Sequence, residues 1–447
     1  MTAELPLALQ TAYADLLDRC LSAAFDEAVA EDGVFTPKTI RGRRYWYFQA
    51  STAGQRRQRY VGPETPELLE RIERHKKARH DRRDRQALVS TLIRSAHLPR
   101  PLAAIGDVLA ALADAGVFRL RGVLVGTLAY QTYPAALGLR LPAATIQTGD
   151  VDNAQFADIS VAVTDRTPAM LDVLKRVDAS FRPLPSPQDA RRVASYEASG
   201  GLRVDFLTPN KGPEAEAPRP LPALGTDAQP LRFLDFLIHE PQPAIVLHGS
   251  GIPVLVPAPE RYALHKLILA RRRSSMSAKQ DKDIRQAEAL LAALVRKRAP
   301  ELAAAWAEAS KRGKSWRRRL GEGLGPLRPD IRDETLKAVG APRATVPGLE
   351  LEFAAPALRY DAQRGVVAFA GQAGGAPVRC AVTREALADH FGAAGPDPDS
   401  AVSAFRARRN EIERLLKAKY LSWPVEDDGT VLMKASDVKE LTTNKKG

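Results

Sequence analysis

The chain has 447 residues, of which 45% are hydrophobic and 27% charged, with two cysteines and a net charge of +13. That length gives roughly two to four domains with cores of their own. The composition excludes a disordered chain and a disulfide-stapled secreted scaffold, no apolar run is long enough to span a bilayer, and the basic balance favours polyanionic partners.

In chain order, residues 6–31 read as a helix with Leu9, Tyr13, Leu16, Cys20 and Phe25 near one stripe and Pro6 in its first turn. The N-terminus lacks a basic n-region, so no secretory signal is expected. Cys20 and Cys380 are expected to be free thiols in a reducing cytoplasm. Residues 39–50 and 55–62 flank Ser-Thr-Ala-Gly as a β-hairpin. Seven positive charges (Lys38, Arg41, Arg43, Arg44, Arg56, Arg57, Arg59) and no acid lie between Asp32 and Glu64, interleaved with Tyr45, Trp46, Tyr47, Phe48 and Tyr60. Two readings stay open for it. Basic side chains track phosphates while aromatic faces stack on unpaired bases, or the aromatics are buried and the hairpin packs against a domain. A long helix over 65–96 follows, its middle (73–86) holding Ala78 as the lone apolar residue, so that stretch is solvated or bound.

From Pro101 the pattern alternates: helix 101–115, strand 119–125, helix 127–138, strands near 145–152 and 158–163, helix 167–179 and a strand over 201–207. Residues 209–230 and 321–349 read as Pro/Gly-containing connectors, separated by helices at 258–273, 279–296 and 299–311. The last hundred residues give strands at 350–360, 364–370 and 377–382, helices at 383–391 and 399–418, a strand at 431–434 and a polar tail. The domain reading is 1–100, 101–225, 226–345 and 350–437, with a tail from 438.

Asp150 and Asp152 flank one residue on a strand, so both carboxylates point to one face. Asp205 lies within Gly-Leu-Arg-Val-Asp-Phe-Leu (201–207), an apolar strand in which a carboxylate needs a partner. Three acids on adjacent strands can hold two divalent cations, which clamp the attacking and leaving oxygens of a phosphoryl transfer. Gly126-Thr127, at a strand-to-helix turn, offers backbone N–H groups to phosphate. Asp158 is a rival acid, set aside because its spacing gives no same-face pair. The Gly313-Lys314-Ser315 triplet lacks the preceding strand and the first glycine of a P-loop, and the His and Cys positions show no zinc spacing.

Val-Leu-Val-Gly126-Thr127, Asp150-Val-Asp152 and Asp205 together resemble the DNA polymerase β-like nucleotidyltransferase superfamily. Thr127 stands where serine is commoner, and residues 130–148 lengthen the spacer. Pro259-Glu-Arg-Tyr-Ala-Leu-His-Lys-Leu, Arg271-Arg-Arg and the run from Lys279 to Gln286 resemble the helical segment of AbiE-type minimal nucleotidyltransferases and a little-characterised bacterial family of the same fold. The resemblance covers roughly 101–320. It implies a polymerase β-like core of α/β to α+β class with a helical lobe. The N-terminal helix and hairpin and a small α+β domain flank it. Asp150, Asp152 and Asp205 would be catalytic and hold Mg²⁺ or Mn²⁺. Gly126, Thr127, Lys266, Lys282 and Asp283 would meet an NTP. The acceptor would be a nucleic acid, contacted by Arg41, Arg43, Arg44, Trp46, Arg56, Arg57 and Arg59, or a protein side chain. The alternative is a catalytically silent binding or regulatory protein of a toxin–antitoxin or defence system. Residues 350–437 resemble a small bacterial domain family of unknown function, which implies an α+β fold and no chemistry.

Overall fold

In a computed structural model, the structure describes residues 3–24, 33–40, 43–52, 55–142, 149–162, 165–210, 212, 215–270, 278–354, 357–395, 397–422, 426 and 428–443. The chain is of mixed α/β class and divides into two compact units, Met1–Tyr262 and Ala263–Gly447. Among the described residues no helix is long and apolar enough to cross a membrane. Cys20 and Cys380 are free and buried.

The first unit opens with α1 (Leu7–Ala24), then β1 (Gly33–Ile40), β2 (Arg43–Thr52), β3 (Gln55–Pro63) and α2 (Pro66–Arg94). Thr65 caps α2 by accepting from the Leu68 N–H at 3.2 Å, and Pro66 sits where its missing N–H is not needed. The expected hairpin is the β2–β3 half of a three-stranded antiparallel sheet. The third strand, β1, carries Pro37 on the sheet edge, where a missing donor is tolerated. The apolar stripe of α1 (Tyr13, Leu16, Cys20) packs with Val89 and Leu92 of α2. The polar middle of α2 is held by ion pairs from Arg19 to Asp81 and Asp84 and from Arg85 to Asp81.

After α3 (Ala103–Asp114), the chain forms a seven-stranded sheet. Its strands are β4 (Val123–Leu124), β5 (Asp150–Ala154), β6 (Arg182–Pro185), β7 (Val193–Glu197), β8 (Arg203–Pro209), β9 (Arg219–Leu221) and β10 (Thr226–Leu231). The order is β9-β10-β8-β5-β4, with β7 antiparallel to the start of β8 and β6 antiparallel to β7. β5 and β8 run parallel at its centre. The helix α4 (Gly126–Tyr130) follows β4, and a short hairpin of β11 (Gln242–Val246) and β12 (Ile252–Val256) leads to α5 (Pro259–Ala270). The division between the units falls inside α5.

Several expectations are corrected. The 119–125 strand shrinks to Val123–Leu124, because the chain turns tightly before it, with Arg121 at φ 69°. The 127–138 helix is two short helices, the second (Tyr133–Leu137) closed by left-handed Gly138. Residues Ala157–Ala162 are a helix with Asp158 in the first turn, so the rival acid lies off the sheet. The 209–230 connector contains β9 and β10, the latter paired in parallel with β8.

In the second unit, helices Ala278–Lys297 and Ala299–Lys311 match the expected ones. The expected connector at 321–349 instead holds the end of helix Lys314–Leu324 and helix Pro329–Ala338. Its C-terminal part is a four-stranded sheet (Arg359–Asp361, Val366–Ala373, Ala376–Thr383, Val431–Met433) around a core that includes Val367, Cys380, Phe405 and Leu416. The expected long helix at 399–418 is broken into Pro398–Ala407 and Arg409–Ser422, and the expected polar tail begins as helix Ala435–Thr443, which buries Val438.

Candidate active site

The two central strands set the site. In their parallel register Asp152 lies opposite Asp205 and Asp150 opposite Arg203. In-register residues share a face, and alternation puts Asp150, Asp152, Arg203 and Asp205 on the same one. These four are half-buried or exposed, whereas Val151, Asn153, Val204 and Phe206 on the opposite face are buried. The apolar half of each strand therefore anchors the sheet, and the alternate half presents three carboxylates and one guanidinium.

Arg203 is the feature the sequence reading missed. Its Nε donates to Asp205 Oδ1 at 2.8 Å, and an Nη donates to Ser195 Oγ at 3.2 Å. The Ser195 hydroxyl in turn donates to Asp205 Oδ1 at 2.5 Å from β7, where Ser195 stands opposite Asp205. Partial burial pulls the Arg203 pKa down. The Asp205 hydrogen bond and the charges of Asp205, Asp150 and Asp152 outweigh it and hold the guanidinium above its ordinary value. The signal was legible: Arg203 and Asp205 are two apart, the same spacing that paired Asp150 with Asp152.

Gly126 closes the other side of the site. Val125 N–H donates to the Asp152 carbonyl at 2.9 Å, extending the β4–β5 pairing to the turn. Gly126 then adopts φ 66°, and a Cβ there would lie 2.5 Å from Asp152 Oδ2. The missing side chain is thus what allows the carboxylate to sit against the turn. Behind it, the Tyr262 hydroxyl donates to the Gly126 carbonyl at 3.0 Å, and Tyr262 packs against Tyr130 and Tyr133. Thr127, next in α4, is half-buried. Beside Asp205 opens a cavity of about 220 Å³ lined by Pro185, Ser195, Arg203, Asp205, Leu207 and Gln229, among others.

The donor set is oxygen-rich and anionic, which suits a hard divalent cation, and the Gly126 cradle keeps Asp152 Oδ2 against backbone. Among the described residues no three His, Cys, Asp or Glu side chains are gathered into a metal-holding group. The cation that the chain itself sets against Asp205 is Arg203.

Lys266 and Asp283 lie in the second unit. Both are buried, and Lys266 Nζ donates to Asp283 Oδ1 at 2.5 Å. Nearby, Gln280 donates to the Ala270 carbonyl at 2.9 Å, while Lys282 is half-buried on the same helix as Asp283. The Arg271–Arg273 run lies outside the described residues. A buried ion pair that loses one partner leaves an uncompensated charge. Lys266→Met should therefore lower stability by about 3–5 kcal/mol, read as a fall in the urea midpoint. Unchanged stability with a raised NTP requirement would instead assign Lys266 to the triphosphate.

The N-terminal sheet holds the remaining candidates. Arg43 and Arg44 are exposed on β2, with Arg44 3.6 Å from Glu64. Arg41 lies outside the described residues. The backbones of Arg56, Arg57 and Arg59 are on β3, opposite Ser51, Ala50 and Phe48. Trp46 corrects an expectation. It is 7% exposed and its indole N–H donates to Glu64 Oε2 at 3.0 Å, so it cannot offer a face to a base.

Residues 103–311 match a family model described as nucleotidyltransferase. Residues 351–433 match a family described as protein of unknown function (DUF1488). No curated protein and no solved structure matches the chain.

Proposed function

We propose that the chain moves a nucleoside monophosphate from an NTP to an acceptor hydroxyl and releases pyrophosphate. The observation that carries this reading is the in-register placement of Asp152 beside Asp205, with Asp150 on the same face and Asp152 Oδ2 against Gly126, inside the region of the nucleotidyltransferase match.

In this reading Asp150 and Asp152 hold a divalent cation, Mg²⁺ or Mn²⁺, and Asp205 contributes from the neighbouring strand. The cation, when bound, neutralises the charge that develops on the transferring phosphate. Gly126 and Thr127 offer backbone N–H groups to the phosphate chain. The acceptor oxygen forms a bond to the α-phosphorus as the bridging bond to the β-phosphate breaks, and pyrophosphate carries away that electron pair. Asp205 lines the cavity and takes the hydroxyl proton. Positioning and charge neutralisation do most of the work in such a transfer.

Arg203 neutralises part of the acidic face and competes there with a metal. The same observation favours a second reading, in which the guanidinium holds the site shut and the chain acts as a silent binding or regulatory protein. Arg203→Gln separates the two. Removing one cation from a partly exposed group of three carboxylates should tighten divalent binding by roughly tenfold, measured by calorimetry with Mg²⁺ or Mn²⁺, and the variant should keep transferring. If tighter metal binding comes with no transfer by either protein, the silent reading stands. Unchanged metal affinity would remove Arg203 from any such role.

A further inference from the structure

The β1–β2–β3 sheet has two faces of opposite chemistry. Toward α2, Phe35 and Phe48 meet His75 edge-on at centroid distances of 5.2 and 5.6 Å, and Trp46 is sealed by Glu64. This face is used up by packing. The other face carries three tyrosines. Tyr60 is 54% exposed, with its ring centroid 5.4 Å from Tyr47 and 6.3 Å from Tyr45. Lys38 stands in register with Tyr45, and its ammonium lies 4.7 Å from the Tyr47 centroid and donates to Gln58 at 3.0 Å. Strand alternation puts the exposed Arg43 on the side of Tyr45 and Tyr47.

We propose that this open face is a platform for single-stranded nucleic acid, with bases stacking on Tyr60 and its neighbours and phosphates meeting Lys38 and Arg43. Charge selects the occupant. The stretch between Asp32 and Glu64 carries seven positive charges and no acid, so a second copy of this sheet would be repelled while a polyanion is drawn in. The tyrosines select the strandedness, because a duplex hides the base faces that aromatic rings stack on. The proposal deepens the transfer reading by giving the acceptor's class, and it rests on that reading only for the word acceptor. Binding is measured without NTP or divalent cation, so its failure and a failure of transfer are separate results.

The test is fluorescence anisotropy of the full chain with a fluorescein-labelled oligouridylate across a salt series. Tyr60→Ala should weaken binding roughly tenfold, the scale of one lost stack, and Tyr60→Phe should keep most of the affinity. Lys38→Ala should reduce the slope of log K against log salt by about 0.7, the value for one phosphate contact on a single strand. Tyr60 and Lys38 are exposed, so a circular dichroism spectrum like wild type is expected for all three variants. Two outcomes would overturn the proposal: unchanged oligouridylate affinity in Tyr60→Ala, or a duplex that competes equally well against wild type and Tyr60→Ala.

Discussion

Asp152→Asn is expected to lose nucleotidyl transfer by roughly a thousandfold, while its melting temperature should stay near that of wild type. The size follows from what the carboxylate does in the proposed reaction. It is the acid nearest the Gly126 turn, with Oδ2 2.5 Å from where a Cβ would be, and it stands opposite Asp205 in the sheet. Asparagine keeps the shape and removes the charge that would hold the cation and balance the transition state, and a preorganised electrostatic contact of this kind contributes roughly a hundred- to a thousandfold. Stability is spared because Asp152 points to the open face, while Val151 and Asn153 make the buried contacts of the strand. A variant that melts at the wild-type temperature and transfers at the wild-type rate would take Asp152 out of the site.

Gly126→Ala should come next in effect. At φ 66° an L side chain costs about 1–2 kcal/mol, and here the new Cβ also meets Asp152 Oδ2, so the carboxylate or the turn must move. Transfer should fall by roughly a hundredfold, the cost of a misplacement on the scale of an ångström. The backbone strain is separated by Gly249→Ala. Gly249 has φ 58° with nothing within 4 Å of its added Cβ, and it should lose similar stability without losing transfer. Equal activity losses in the two variants would show that Gly126 is needed only for the turn.

The acidic face was legible because it depends on one rule. Strand side chains alternate, so Asp150 with Asp152 fixes a face wherever the strand goes. That Asp205 would fall in register with Asp152 is a matter of pairing between distant segments, which local pattern does not carry. The same rule would have found Arg203, two residues before Asp205, had the basic residue been weighed with the acid. Elsewhere, tertiary pairing overrode local signals. Thr226–Leu231 contains Pro230 and reads as a connector, yet it forms a strand because β8 offers a parallel edge. Residues Ala157–Ala162 have β-like composition but coil into a helix next to the sheet. Trp46 and Tyr60 differ only in which side of a strand they occupy. The sequence shows both as aromatics among arginines, and only the packing of α2 against one face decides which is buried.

The central claim is nucleotidyl transfer by the Asp150–Asp152–Asp205 face, and one assay addresses it most directly. The full chain is incubated with each nucleoside triphosphate radiolabelled at the α-phosphate, with Mg²⁺ or Mn²⁺ and with total RNA and protein as acceptors, beside Asp152→Asn. The account predicts label covalently joined to an acceptor with pyrophosphate released by wild type, and background label with the variant. Wild type and Asp152→Asn giving the same label, with every triphosphate and both cations, would contradict it.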